Sequence, residues 1–171
     1  QSTAARLPSD ETGRPSELNM DLFRCPICTA QLQRHEGALR CDQGHSFDLS
    51  REGYVNLLPS HHRKSLAPGD SAEMVAARRR FLGHNHYRPL VDALADILGS
   101  VPRSDTLLDL CCGEGSFTDS YRGRVSQVYG VDISKPAIKA AAKRFKTVSL
   151  AVASTAQLPF SDGAFDVITI M

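Results

Sequence analysis

The chain has 171 residues, 42% of them hydrophobic, and 20 Lys and Arg stand against 19 Asp and Glu. That length supports one ordinary domain, or one plus a small module, and the apolar content excludes a chain disordered throughout. The balanced charge excludes a global basic field, so any affinity for nucleic acid must come from local patches, and five cysteines in no paired framework point to a reducing cytosol rather than a secreted scaffold.

Residues 1–22 begin with a polar stretch that contains Pro8 and Pro15, lacks the apolar core of a secretion signal, and reads as a disordered tail. No apolar run approaches the roughly 18–20 residues that cross a bilayer. Residues 23–59 then mix cysteines, glycines and short β-type runs (38–40, 46–48 and 54–58), a module too small to fold on hydrophobic burial alone. Residues 60–69, with His61, His62, Arg63 and Lys64, read as a basic linker.

From residue 70 onward the pattern changes. Asp70 and Glu73 have capping-box spacing ahead of a helix with Met74, Val75, Ala77 and Phe81 as its apolar stripe. A second helix is predicted over about 88–98, with Pro89 in its first turn and Leu90, Leu94, Ile97 and Leu98 on one side. Strands at 106–110, 127–131, 148–152 and 165–170 alternate with helices predicted to open at Gly115 and to follow the cap Ser134. Buried strands separated by helices imply crossover units and a parallel, doubly wound α/β sheet, so the fold class is a Rossmann-like domain carrying a small N-terminal zinc module.

Two constellations carry chemistry. Cys25-Pro26-Ile27-Cys28 and, twelve intervening residues later, Cys41-Asp42-Gln43-Gly44-His45 supply three thiols and an imidazole on two turns. Four such ligands close a tetrahedron around Zn²⁺, and the metal supplies the folding free energy that the module's core lacks. A redox Cys-x-x-Cys belongs to a thioredoxin-like βαβ unit, whose pattern is missing from this neighbourhood, and four filled positions leave no place for a catalytic water.

The second constellation is Leu108-Asp109-Leu110-Cys111-Cys112-Gly113-Glu114-Gly115, a strand that enters a glycine turn at the carboxyl edge of a parallel sheet, where such folds bind nucleotides. Asp132 follows Gly113 by nineteen residues, at the end of the next strand, where its carboxylate can accept both hydroxyls of a ribose. A dinucleotide fingerprint would need glycine at Cys111 and Ser116 as well. Asp109 and Glu114 would repel a pyrophosphate and tolerate a cation, which selects S-adenosylmethionine.

These motifs, with Phe47-Asp48, Glu52-Gly53-Tyr54-Val55-Asn56-Leu57-Leu58, Pro68-Gly69-Asp70-Ser71-Ala72-Glu73-Met74 and Leu158-Pro159-Phe160-Ser161-Asp162, resemble the RlmA family of bacterial 23S rRNA (guanine-N1)-methyltransferases. The resemblance implies methyl transfer from S-adenosylmethionine to N1 of a guanine in a 23S rRNA hairpin (guanine 745 in the family), with the zinc module helping to hold the RNA. It also implies a cytoplasmic enzyme, for which a homodimer is one assembly. The family's cofactor contacts fall on Tyr87, Gly113 and Glu114, beside Asp109, Gly115 and Asp132, and the adenine contact falls at Ala153 or Ser154. No catalytic base is visible, because acceptor-facing groups in this class follow the fourth strand; continuation by about a hundred residues is expected. The alternatives are a small-molecule methyltransferase, such as one for a quinone precursor, and a non-catalytic zinc-ribbon adaptor.

Overall fold

The computed structural model describes residues 18–59, 68–101 and 105–171; the first part of the expected tail and most of the expected linker, His61 to Lys64 included, lie outside them. The N-terminal module is an antiparallel sheet of β1 (Gln33–His35), β2 (Ala38–Arg40) and β3 (Ser46–Asp48) in the order β1-β2-β3. β4 (Tyr54–Asn56) follows, then α1 (Ala72–Leu82), α2 (Arg88–Ser100), β5 (Thr106–Leu110), β6 (Gln127–Asp132), α3 (Lys135–Arg144), β7 (Ser149–Val152) and β8 (Val167–Ile170). The large sheet is parallel throughout, in the order β4-β7-β6-β5-β8.

β4 is the first departure from the sequence reading. Tyr54, Val55 and Asn56 pair in parallel with Leu150, Ala151 and Val152, so a strand expected in the zinc module forms the edge of the large sheet. The packing follows suit. Phe23, Cys25, Leu32, Leu39 and Cys41 share one core with Val55, Leu57, Leu108, Tyr129, Val131 and Ala151. The Phe23 ring stacks on Phe160 at 5.3 Å and meets Tyr129 edge-on at 5.4 Å. The end of the expected tail is also docked: Met20 is buried, and Asn19 Oδ1 accepts from the Tyr129 hydroxyl at 3.2 Å. A module too small for its own core has joined its neighbour's.

Local corrections concern the helices. Ser71, not Asp70, caps α1: its hydroxyl accepts from the Met74 N–H at 3.3 Å, while Asp70 pairs with Arg78 at 3.7 Å. Along the predicted stripes, Val75 and Leu98 are buried, but Met74, Phe81, Leu90 and Ile97 are exposed. The helix expected from Gly115 shortens to a 3-10 turn at Thr118–Tyr121. α3 agrees with its signals, with Ser134 accepting from the Ala137 N–H at 3.2 Å and Ile138, Ala141 and Ala142 facing the sheet.

Candidate metal centre and cofactor cleft

Two turns build the first centre. In one, the Thr29 N–H donates to the Cys25 carbonyl at 2.8 Å; in the other, the Gly44 N–H donates to the Cys41 carbonyl at 3.0 Å. They bring Cys25, Cys28, Cys41 and His45 together, with all ligand atoms within 4.8 Å of one another. Cys28 Sγ lies 3.7 Å from Cys41 Sγ, and His45 Nδ1 lies 3.5 Å from Cys25 Sγ and 3.4 Å from Cys41 Sγ. Zn–S and Zn–N bond lengths require tetrahedral edges of about 3.8 Å between two sulfurs and about 3.5 Å between sulfur and nitrogen, so the ligand set already has the dimensions of a zinc site.

Electrostatics argues the same way. A backbone hydrogen bond at Ala30 favours the Cys28 thiolate, yet desolvation and the thiols of Cys25 and Cys41 outweigh it and push Cys28 up to about 11. Desolvation also opposes ionisation of Cys41, but backbone groups of His45 and Gln43, with Cys28 and His45 side chains, bring it down to about 7. Sulfurs this close cannot all ionise without a cation among them.

The second centre lies where β5 and β6 end side by side. Cys111 (φ 57°), Gly113 (φ 57°) and Gly115 (φ 83°) all take left-handed backbone, which reverses the chain within five residues. Asp132 secures the bend: its Oδ2 accepts from the Gly113 N–H at 2.9 Å and its Oδ1 from the Ser134 N–H at 2.7 Å. A Cβ at Gly113 would meet nothing within 4 Å, so the space above the bend is open to a ligand. At Gly115 a Cβ would come within 2.8 Å of the Phe145 ring, so this glycine lets the bend pack on α3.

Two carboxylates expected at the cofactor, Asp109 and Glu114, are nearly buried and lie beneath the bend, where both line its small cavity. Asp109 is 1% exposed; Thr118 Oγ1 donates to its Oδ2 at 2.5 Å and Thr169 Oγ1 to its Oδ1 at 2.9 Å. Burial pushes its carboxyl up to about 6, with Asp132 adding to the rise and the two threonines opposing it. Glu114, also buried, is bonded to the Arg144 guanidinium and the Ser116 hydroxyl. Its charge is therefore matched within the chain.

Cavities run along this edge. One of about 60 Å³ lies at the bend between Gly113, Met171 and the α1 residues Arg78 and Leu82. It shares Leu82, Ser116 and Phe117 with one of about 400 Å³ that Tyr87 and Arg144 also line. Tyr87 stands edge-on to Phe117, ring centroids 6.1 Å apart. Past Asp132, a third cavity of about 340 Å³ is lined by Asn56, Ile133, Val152 and the segment Pro68–Ser71. Ser154, the expected adenine contact, lines none of the three; its hydroxyl accepts from the Ala156 N–H at 3.2 Å.

Comparison with known proteins finds two families along the chain. Residues 107–171 match the family described as a methyltransferase domain, and residues 23–66 match the family described as RlmA, N-terminal, a zinc ribbon. A 23S rRNA (guanine(748)-N(1))-methyltransferase of Streptomyces fradiae is 38% identical over 151 residues, 83% of this chain and 52% of the relative. The ribbon is that of the RlmA family. The Bacillus subtilis protein YxjB is 39% identical over 163 residues, 88% of this chain and 56% of its own. A demethylmenaquinone methyltransferase of Bacillus licheniformis is 33% identical over 79 residues, 43% of this chain and 34% of its own. The chain spans about half the length of the two RlmA-like relatives.

With RlmA as the frame, the residues that sequence reasoning missed are those holding the expected ones in place. Thr118 and Thr169 fix Asp109, and Arg144 neutralises Glu114. The Ser134 hydroxyl donates to the Asp70 carbonyl at 2.7 Å, tying the segment before α1 to the start of α3. The ribbon is tied in through Gln157 Nε2, which donates to the Pro26 carbonyl at 3.2 Å, and the Arg24 N–H, which donates to the Pro159 carbonyl at 2.8 Å. Asp70 and Ser134 carried a signal as expected caps, and Leu158–Asp162, which lies on no element, as family sequence; the others carried none.

Proposed function

We propose that the protein transfers a methyl group from S-adenosylmethionine to N1 of a guanine in 23S rRNA, in the cytoplasm, with the zinc ribbon helping to hold the RNA. The observation that carries this reading is the union, in one packed body, of a four-ligand zinc ribbon and a glycine bend clamped by Asp132 at the carboxyl edge of a parallel sheet.

The cofactor would be held by the open backbone of Gly113 and by Asp132, whose oxygens keep a free lone pair each for ribose hydroxyls. Tyr87 and Phe117 would cover its amino-acid end. When bound, S-adenosylmethionine supplies a methyl group made electrophilic by a sulfonium. The protein's task is to bring guanine N1 in line with it. N1 lies on the Watson–Crick edge, so the base must be unpaired or flipped out before it can approach. N1 also carries a proton at neutral pH, which must leave or be balanced by hydrogen bonds toward O6. Asp109 and Glu114 are both bonded within the chain, so their role here is to shape the bend rather than to take that proton.

The rival quinone-methyltransferase reading rests on a likeness to 43% of the chain, against 83% and 88% for the RlmA-like relatives, and leaves the ribbon unused. Mass mapping of methylated guanines in 23S rRNA from cells with and without the protein tests the assignment. Loss of one N1-methylguanine from the hairpin spanning positions 745 and 748 is expected, and an unchanged map removes the reading. Sedimentation of the protein alone tests the homodimer.

A further inference from the structure

A groove of about 700 Å³ between α1 and α3 lies outside the cofactor edge. Its floor is apolar, made by Val75, Ala76, Pro136 and Ala140. Its rims are basic: Arg79, Arg80 and His84 on the α1 side, Lys139 and Lys143 on α3, with no acid among the lining residues. Among the described residues, Lys139 has an acidic partner, Glu52 at 3.4 Å, whereas Arg79, Arg80 and Lys143 have none within ion-pair distance.

The fold accounts for only part of this charge. Lys139 and Lys143 stand one helical turn apart, following Lys135 at the same interval, and like charges at that spacing repel and weaken a helix. All three lysines are exposed while α3 buries Ile138, Ala141 and Ala142, so none of the three is needed for the core. Arg79 and Arg80 sit in the last turn of α1 and Lys143 in the last turn of α3, where cations are favoured, but this explains their sign and not Lys139, nor why the two rims face each other across one groove. Two facing basic rims over an apolar floor fit an extended polyanion with hydrophobic faces. A flat membrane cannot enter a concave groove, and an acidic peptide has no reason to lead to a methyl donor. A nucleic acid strand does, because Arg79 and Gly83 line both this groove and the cavity that holds Tyr87 and Ser116.

We infer that the α1–α3 groove binds the phosphodiester backbone of a single RNA strand and leads the target base toward the bend at Gly113. This inference rests on the rRNA reading above and adds the surface that delivers the substrate. Phosphates would meet Arg79, Arg80, Lys139 and Lys143, while ribose and base faces lie on the alanine and proline floor.

The test uses the zinc-loaded protein and a synthetic RNA hairpin of the 23S region. Reversing two rim charges outside the cofactor cavities, Arg80→Glu with Lys143→Glu, should weaken hairpin binding about tenfold or more. It should also reduce the slope of log K against log salt by about 1.4, the release expected for two lost phosphate contacts. Binding of S-adenosylmethionine should be unchanged. In the parent protein, bound RNA should shield Lys139 and Lys143 from an amine-acylating reagent while Lys135 stays reactive, a readout that needs no variant. Parent binding with an unaltered slope in the variant, unshielded lysines, or displacement of the hairpin by polyglutamate at equal charge would each overturn the groove assignment. Failure of the parent to bind any RNA would instead overturn the rRNA reading.

Discussion

The zinc ribbon and the glycine bend are both turns that gather a few side chains at one point, yet they are specified in opposite ways. In the ribbon, the ligands are the structure: four side chains whose spacing along the chain already determines their meeting, with all four atoms within 4.8 Å of one another. In the bend, the residues with chemical character are held by neighbours far along the chain. Asp109 is bonded to Thr169 across sixty positions and Glu114 to Arg144 across thirty. Where metal chemistry organises a site, residue identity and role coincide; where burial organises it, role is decided by what packs alongside.

Removing a ligand should give the largest effect and test whether the two regions are energetically one. Cys41→Ser should reduce bound zinc from one per chain to none and cost more than about 5 kcal/mol, because a metal-dependent fold is lost. The shared core of Phe23, Tyr129 and Val131 further predicts that the large sheet melts with the ribbon in one transition. Two separate transitions in calorimetry would show the regions to be independent.

Next comes Asp109, whose folded pKa of about 6 stands above the ordinary 3.8. A carboxyl that keeps its proton longer in the folded state stabilises the fold at low pH and loses that contribution as pH rises. About 3 kcal/mol should therefore disappear between pH 4 and 6. Asp109→Asn should flatten this limb in denaturant titrations, measured against the parent with both proteins zinc-loaded. An identical pH dependence in the two would show that Asp109 does not carry it.

Arg144→Met leaves Glu114 buried without its cation. Breaking a fully buried pair costs 3–5 kcal/mol, and because Arg144 is about a third exposed, a loss of about 2 kcal/mol in thermal unfolding is expected. The smallest effect has the opposite sign. Cys111 occupies a left-handed position at φ 57°, so Cys111→Gly should relieve backbone strain and stabilise by about 1 kcal/mol in urea titration, without altering zinc content.

The same contrast explains what could be read from the chain in advance. The four zinc ligands, the parallel sheet and the bend were legible because each follows from local spacing or from runs of buried β-type residues. The edge role of β4 was not: Tyr54-Val55-Asn56 reads as a strand whether it pairs within the ribbon or beside β7. The apolar stripes of α1 and α2 misled because Met74, Phe81, Leu90 and Ile97 have helical spacing but no surface to cover them among the described residues. Asp109 and Glu114 were legible as carboxylates of the bend, but not their partners Thr118, Thr169 and Arg144, which lie apart from the motif in sequence. Asp132 differs because its partners, the N–H groups of Gly113 and Ser134, are set by the backbone of the bend itself.

Calorimetric titration of S-adenosylmethionine into the zinc-loaded protein tests most directly whether that backbone bend is a cofactor site. One equivalent should bind with measurable heat, and Asp132→Asn, which removes the charge that clamps the bend, should weaken binding by about tenfold or more. No heat from the parent protein, or equal affinity in the variant, would contradict the account.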